Sequence, residues 1–379
     1  MRLLSLRLHQ FRNYRELELP LSNDITIFYG DNAQGKTNLL EGIYTAARGF
    51  SFRTRREEEL ASFGTDAWAT QLGYQDQYGN HTLLVKRASF QGKAKKETFW
   101  DGNKMSTRQQ YGRVNLVLFT PDDLWLVKGD PALRRRFLDM EIAQTSPAYY
   151  ELLTRYNRVL QQRNSFLKHW KMDAHAAEPQ LLVWDQALVE LAAGILELRL
   201  QALKGISVAA QDVYATITGN QGDLTLSYQQ KKAATTTVVE ENPGRSYWAQ
   251  LLLKELQKRH TLDLLRGYTS VGPHRDDLDI LHNGRSLKAY GSQGQQRTAA
   301  LSLKLSELEF IRKARGEYPI LLLDDVLSEL DQHRREKLLQ CITGTVQTFL
   351  TVNDRHLVPI TGDVRLYQVC GGQLEETEV

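Results

Sequence analysis

Gly30-Asp31-Asn32-Ala33-Gln34-Gly35-Lys36-Thr37 decides how the rest of the chain is read. The order is G-x-x-x-x-G-K-[ST], a phosphate-binding loop (P-loop). Before it, Asp24-Ile25-Thr26-Ile27-Phe28-Tyr29 is β-branched and aromatic, the composition of a buried strand. After it, Asn38 to Tyr44 sets Leu39, Leu40 and Ile43 on one face of a helix. Gly30 and Gly35 let the backbone turn its N–H groups onto phosphate oxygens, and a helix start at Lys36 favours the same anion. Lys36 is placed to reach the β- and γ-phosphates, and the Thr37 hydroxyl to ligate Mg2+. The stretch therefore reads as a site for ATP or GTP.

With 379 residues, 41% hydrophobic and 25% charged, the chain has the composition of a globular protein large enough for two lobes. A net charge of only +3 means that nucleic-acid binding would come from local patches. Two cysteines, Cys341 and Cys370, make neither a disulfide framework nor a zinc site. No apolar run approaches the ~18 residues of a membrane-crossing helix. The first eight residues lack the apolar core of a signal peptide. The expected place is the cytoplasm, with no membrane partner.

Outward from the P-loop, Arg2 to Leu8 and Leu17 to Leu21 read as strands around Phe11-Arg12-Asn13-Tyr14-Arg15. Arg12 or Asn13 touches the nucleotide in one reading and decorates a solvated turn in the other. Arg53, Arg55 and Arg56 stand among phenylalanines, a mixture suited to DNA backbone contact as well as to a plain charged face. Residues 66–119 read as antiparallel hairpins, with Lys93, Lys95 and Lys96 in one of the loops. From Pro121 to about His260 the pattern turns helical: a start at Asp130-Pro131, the basic cluster Arg134-Arg135-Arg136, and long helices over 149–170 and 181–214. Asp173 to Gln180 reads as a polar connection, Leu224 to Tyr228 as one short strand, and 230–245 as the least ordered stretch. The expected division is 1–120, an inserted lobe over 121–260, and 261–379.

Two stretches near the C-terminus complete a nucleotide site. Pro319-Ile320-Leu321-Leu322-Leu323-Asp324-Asp325 is an apolar strand ending in acids, a Walker B pattern. Asp324 would hold Mg2+ beside Thr37, and Asp325 would orient or deprotonate the attacking water. Tyr290-Gly291-Ser292-Gln293-Gly294-Gln295-Gln296-Arg297 reads as a loop opening a long helix, with Ser292 and the N–H groups near Gly294 as a second phosphate grip.

Ser292-Gln293-Gly294-Gln295 resembles the signature motif of ATP-binding-cassette ATPases, and Asp324 to Asp331 resembles their Walker B and D-loop. Within that group the chain resembles the RecF family, relatives of the structural-maintenance-of-chromosomes proteins. Phe11 to Tyr14, the P-loop helix, Arg134 to Asp139, Gly272 to Leu278 and both C-terminal motifs carry the likeness. The resemblance implies an α/β head of mixed sheet, split in sequence by a largely helical lobe and free of a long coiled coil. It implies Mg2+-dependent binding of ATP by Gly30 to Thr37 with Arg12 and Asn13. Ser292, Gly294 and Gln295 of a second copy would cap the triphosphate, making an ATP-dependent homodimer. The implied work is binding of double-stranded and gapped DNA, with RecR and RecO as partners, to help load the RecA recombinase. DNA contacts are expected among Arg53, Arg55, Arg56, Arg134 and Arg135.

Asp325 stands where many relatives of the wider group carry Glu, so slow turnover is expected. Gln293 replaces a common glycine, no Q-loop glutamine is apparent before Thr120, and Asn353, Asp354 and His356 compete for the switch position. A transporter's nucleotide-binding subunit and a nucleotide-responsive scaffold are the alternative functions.

Overall fold

A computed structural model describes all residues except 91–92, 171–173, 233–234, 240, 359–361 and 379. The chain divides into two compact units, Met1–Asp123 with Glu307–Val379, and Leu124–Ser306. Residues 261–306, Ser292 among them, therefore belong to the second unit.

The first unit holds two six-stranded sheets. One is antiparallel, in the order β2-β1-β4-β5-β6-β7: β1 (Arg2–Phe11), β2 (Tyr14–Pro20), β4 (Trp68–Asp76), β5 (Gly79–Phe90), β6 (Lys93–Trp100) and β7 (Asn103–Met105). Its turns are tight where the sequence carries turn residues. Asp101 and Gly102, both at positive φ, close the Trp100↔Asn103 pair as a primed hairpin turn. The β1–β2 turn is Arg12 and Asn13 alone, because Phe11 pairs Tyr14. Lys95 and Lys96, expected in a loop, lie on β6, and Lys96 pairs with Glu57.

The other sheet runs β16-β15-β3-β14-β13-β8: β3 (Ile25–Tyr29), β8 (Leu116–Phe119), β13 (Ile320–Asp324), β14 (Thr348–Val352), β15 (Val364–Cys370) and β16 (Gln373–Thr377). Only the β15–β16 pair is antiparallel; β15, β3, β14, β13 and β8 run parallel. Leu116–Phe119 was expected in a hairpin, and the structure places it parallel to β13 instead. Its apolar run is continuous rather than alternating, which fits a strand covered on both faces. Gln347 links the two sheets: its buried amide accepts from Leu3 N–H and donates to the carbonyls of Leu3 and Leu21.

The second unit packs helices Pro131–Thr145, Pro147–His169 and Ala174–Thr218 with a four-stranded sheet in the order β10-β9-β11-β12: β9 (Leu224–Lys232), β10 (Thr235–Val239), β11 (Asp277–His282) and β12 (Arg285–Ser286). The long helix absorbs 174–180, which the sequence presents as a connection. Buried Ala177 and Leu181 pack on Leu167, and that apolar contact outweighs the one Pro179. The single expected strand near 224 gains partners because its mates lie about fifty residues later (Leu278↔Tyr228) and in the segment expected to be disordered (Val239↔Tyr228). Parts of 230–245 lie outside the described residues. Helix Gln293–Arg315 carries the chain from the second unit back to the first. Among the described residues, no helix is long and apolar enough to cross a membrane.

Candidate functional site

The P-loop lies at the C-terminal end of the parallel sheet, where β3, β13 and β14 deliver their last residues side by side. Such strand ends are where open α/β sheets bind ligands. The loop turns through positive φ at Gly30 (143°), Ala33 (64°) and Gly35 (116°). Of the three, only Ala33 carries a Cβ to strain.

Lys36 Nζ donates to the carbonyls of Gly30 (2.5 Å) and Asp31 (2.8 Å) and to Asn353 Oδ1 (2.9 Å). Burial lowers its pKa, opposed by the nearby carboxylates of Asp325, Asp31 and Asp324. From the Walker B strand, Asp324 Oδ1 accepts two hydroxyls, Thr37 Oγ1 and Thr351 Oγ1, each at 2.8 Å. Desolvation raises the Asp324 pKa above the ordinary carboxylate range, against the pull of those two hydrogen bonds and of the Arg53 charge. Asp325 sits in left-handed backbone (φ 52°) with its N–H on Thr351 Oγ1 (2.9 Å) and its carboxylate taking the Ser328 hydroxyl (2.5 Å). A non-glycine residue held in that region at the end of the strand beside the P-loop is the kind of local strain found at functional sites.

The donor set suits Mg2+. A buried carboxylate and a threonine hydroxyl share one point, all ligands are oxygen, and few are supplied. Mg2+ is commonly held by one or two carboxylates, with substrate phosphates and water completing its shell.

Compared with known proteins, residues 2–364 match the family described as RecF/RecN/SMC N terminal domain. The DNA replication and repair protein RecF of Bacillus subtilis is 42% identical over 347 residues, 92% of each chain. That of Halothermothrix orenii is 40% identical over 354 residues, 92% of this chain and 91% of its own. The chain belongs to the RecF family. A solved structure of the recombination mediator protein RecF-ATP in the RecFOR pathway has TM-score 0.88 and 32% identity, covering 100% of this chain and 98% of that one. An Smc head bound to the C-winged helix domain of ScpA shares the fold, with TM-score 0.59 at 14% identity. RecF-family membership removes the transporter alternative.

Within this RecF-family site the neighbouring side chains separate by role. Arg12 makes a two-pronged ion pair with buried Glu41, both bonds 2.8 Å, and donates to the Glu59 carbonyl. Arg53 reaches the same carboxylate at 3.3 Å and Asn38 Oδ1 at 2.7 Å, so it stands beside the P-loop helix. Arg55 and Arg56 are exposed. Arg134, expected at a DNA surface, is only 3% exposed; its donors go to Asp277 and to the carbonyls of Leu126 and Gly129. It is an interior strut, and it leaves the DNA set. Arg135 is half-buried, with Nη1 on the Asp276 carbonyl (2.7 Å).

Ser292 caps the helix that follows. Its Oγ accepts from Gln295 N–H (3.3 Å) while Gln295 Oε1 accepts from Ser292 N–H (2.9 Å), a capping box. The S-x-x-Q spacing carries that signal in the sequence.

Sequence reasoning left the switch position open among three residues and missed Thr351 and Asn38 altogether. Of the three, Asn353 meets Lys36, while Asp354 turns back to cap His356 N–H. Thr351 holds Asp324, but its strand also carries Thr348, so the sequence alone does not single it out. Asn38 joins Asn13 to Arg53.

Proposed function

We propose that this chain is an ATP-driven DNA-binding protein of replication and recombinational repair. ATP would occupy Gly30 to Thr37, and Thr37 and Asp324 would hold Mg2+. The convergence of Thr37 and Asp324 at the end of a parallel sheet carries the reading. Lys36 would exchange carbonyl acceptors for β- and γ-phosphate oxygens, and a cation held there would supply neutralisation of phosphate charge. Asp325 orients water for attack; a side chain one methylene shorter than Glu suits a slow switch. ATP binding draws two copies together, Ser292 of each facing the triphosphate of the other. Exposed Arg55 and Arg56 serve the DNA backbone, with RecR and RecO as protein partners in the cytoplasm. The relatives' printed roles in DNA replication, repair and the RecFOR pathway support this assignment.

The test is anisotropy of a labelled gapped duplex, titrated with and without ATP at one salt concentration. Binding that tightens about tenfold or more with ATP, and not in Lys36→Met, is expected. Weak binding indifferent to ATP would remove DNA as the client.

A further inference from the structure

The P-loop is gripped from behind by two turns that are remote from each other in sequence. From the C-terminal hairpin, Gly371 N–H donates to Gln34 Oε1 (2.7 Å) and Gly372 N–H to the Gln34 carbonyl (3.2 Å). From the β1–β2 turn, Asn13 Nδ2 donates to that same carbonyl (2.9 Å). Asn13 Oδ1 accepts from Asn38 Nδ2 (2.8 Å) on the P-loop helix, and Tyr14 Oη donates to the Gly35 carbonyl (3.1 Å).

The packing leaves no slack. A Cβ on Gly30 would lie 2.5 Å from the Val369 carbonyl oxygen, one on Gly35 2.3 Å from Asn13 Nδ2, and one on Gly372 2.5 Å from the Asn13 carbonyl oxygen. The two turns therefore touch each other as well as the loop.

A planar trans peptide points its carbonyl and its next N–H in opposite directions. Two donors holding the Gln34 carbonyl outward send the Gly35 N–H to the other side. The Gly35 carbonyl, held by Tyr14 Oη together with the N–H groups of Asn38 and Leu39, does the same for Lys36 N–H. These are N–H groups of the kind that cradle phosphate in such loops.

We infer that Asn13, Gln34 and the Gly371–Gly372 turn are positioning residues that pre-aim the P-loop for a polyphosphate, and that Gln34 and Asn13 are not themselves nucleotide ligands. The inference rests on the proposed triphosphate site. A loop already aimed gives up less ordering entropy when the anion binds, so the grip is read in affinity.

The test measures ATP and ADP Kd by direct titration of the full chain. Gly372→Ala and Gln34→Ala are compared with Gly102→Ala, a turn glycine of similar left-handed φ with nothing near its Cβ. Gly372→Ala and Gln34→Ala are expected to raise both Kd values about tenfold, the worth of one hydrogen bond or close approach. Turnover of Gly372→Ala at saturating ATP stays within about twofold. Gly102→Ala binds as the wild type does. A merely structural loss would lower the number of binding sites and leave Kd where it was. Unshifted Kd values in Gly372→Ala and Gln34→Ala overturn the inference; should Gly372→Ala not fold, Gln34→Ala alone decides. Wild-type protein that fails to bind ATP would instead overturn the proposed nucleotide site.

Discussion

Asp324 is a carboxylate that water barely reaches, 7% exposed, and its two hydroxyl partners only partly replace hydration. Burial raises its pKa, so the folded chain holds that proton more tightly than the unfolded chain does. The stabilisation this gives is complete below the unfolded pKa and is lost as pH rises through the folded value. At neutral pH the ionised group therefore costs stability until a cation neutralises it. Asp324→Asn is expected to raise the Tm of nucleotide-free protein at pH 7 by about 2 °C, the equivalent of roughly 1 kcal/mol. That advantage should shrink as the pH falls toward the unfolded-state carboxylate pKa. The same variant should lose the extra Tm that Mg2+ gives over EDTA in the presence of ATP. A variant less stable than the wild type at pH 7 would sink this account, as would an advantage unchanged by pH. Asp324, Lys36 and Thr37 stand out in the sequence because their spacing is a motif. Thr351 does not, and Asn353 is not separable from Asp354 and His356, because their roles exist only once β14 lies between β3 and β13.

At the level of elements, the helix Pro131–Thr145 shows what a run of three arginines conceals. The helical turn sends Arg134 inward to Asp277, 143 residues away in sequence, and leaves Arg136 exposed. Arg134→Ala removes a buried guanidinium from the partly exposed Asp277 and from the carbonyls of Leu126 and Gly129, and should cost about 2–3 kcal/mol. Its effect on the salt dependence of DNA binding should be nil. Arg55→Ala and Arg56→Ala should do the reverse: stability within about 0.5 kcal/mol, and the salt slope of DNA affinity lower by about one for each phosphate no longer neutralised. Denaturant unfolding and anisotropy at several salt concentrations separate the two cases. A reduced slope in an Arg134→Ala protein that still folds would return that residue to the DNA surface. Local pattern served where the determinants are local, as at the Asp101-Gly102 turn, the proline-started helix and the buried apolar strands. It failed at Leu116–Phe119 and across 174–180, where a partner strand or a packed helix face decides. The clustered arginines were legible as charge, and not as surface.

For the whole molecule, Ser292 must be tested apart from its helix. The residue already has a structural duty in the capping box, so any substitution confounds loss of the cap with loss of a partner copy. Removing the cap costs about 1 kcal/mol. Ser292→Asp resolves the two, since Asp caps a helix about as well as Ser while setting a negative charge against a triphosphate held by another copy. Ser292→Arg blocks the same approach by bulk. Both variants should bind ATP as the wild type does, because Lys36, Thr37 and Asp324 lie in the other unit of the same chain. Both should remain monomeric in sedimentation velocity with ATP, where the wild type is expected to become a dimer. Ser292→Asp should also keep the wild-type Tm without nucleotide, which shows that the lost dimer is not a lost helix. An ATP-dependent dimer persisting in both variants would separate Ser292 from the triphosphate and leave it a helix cap alone.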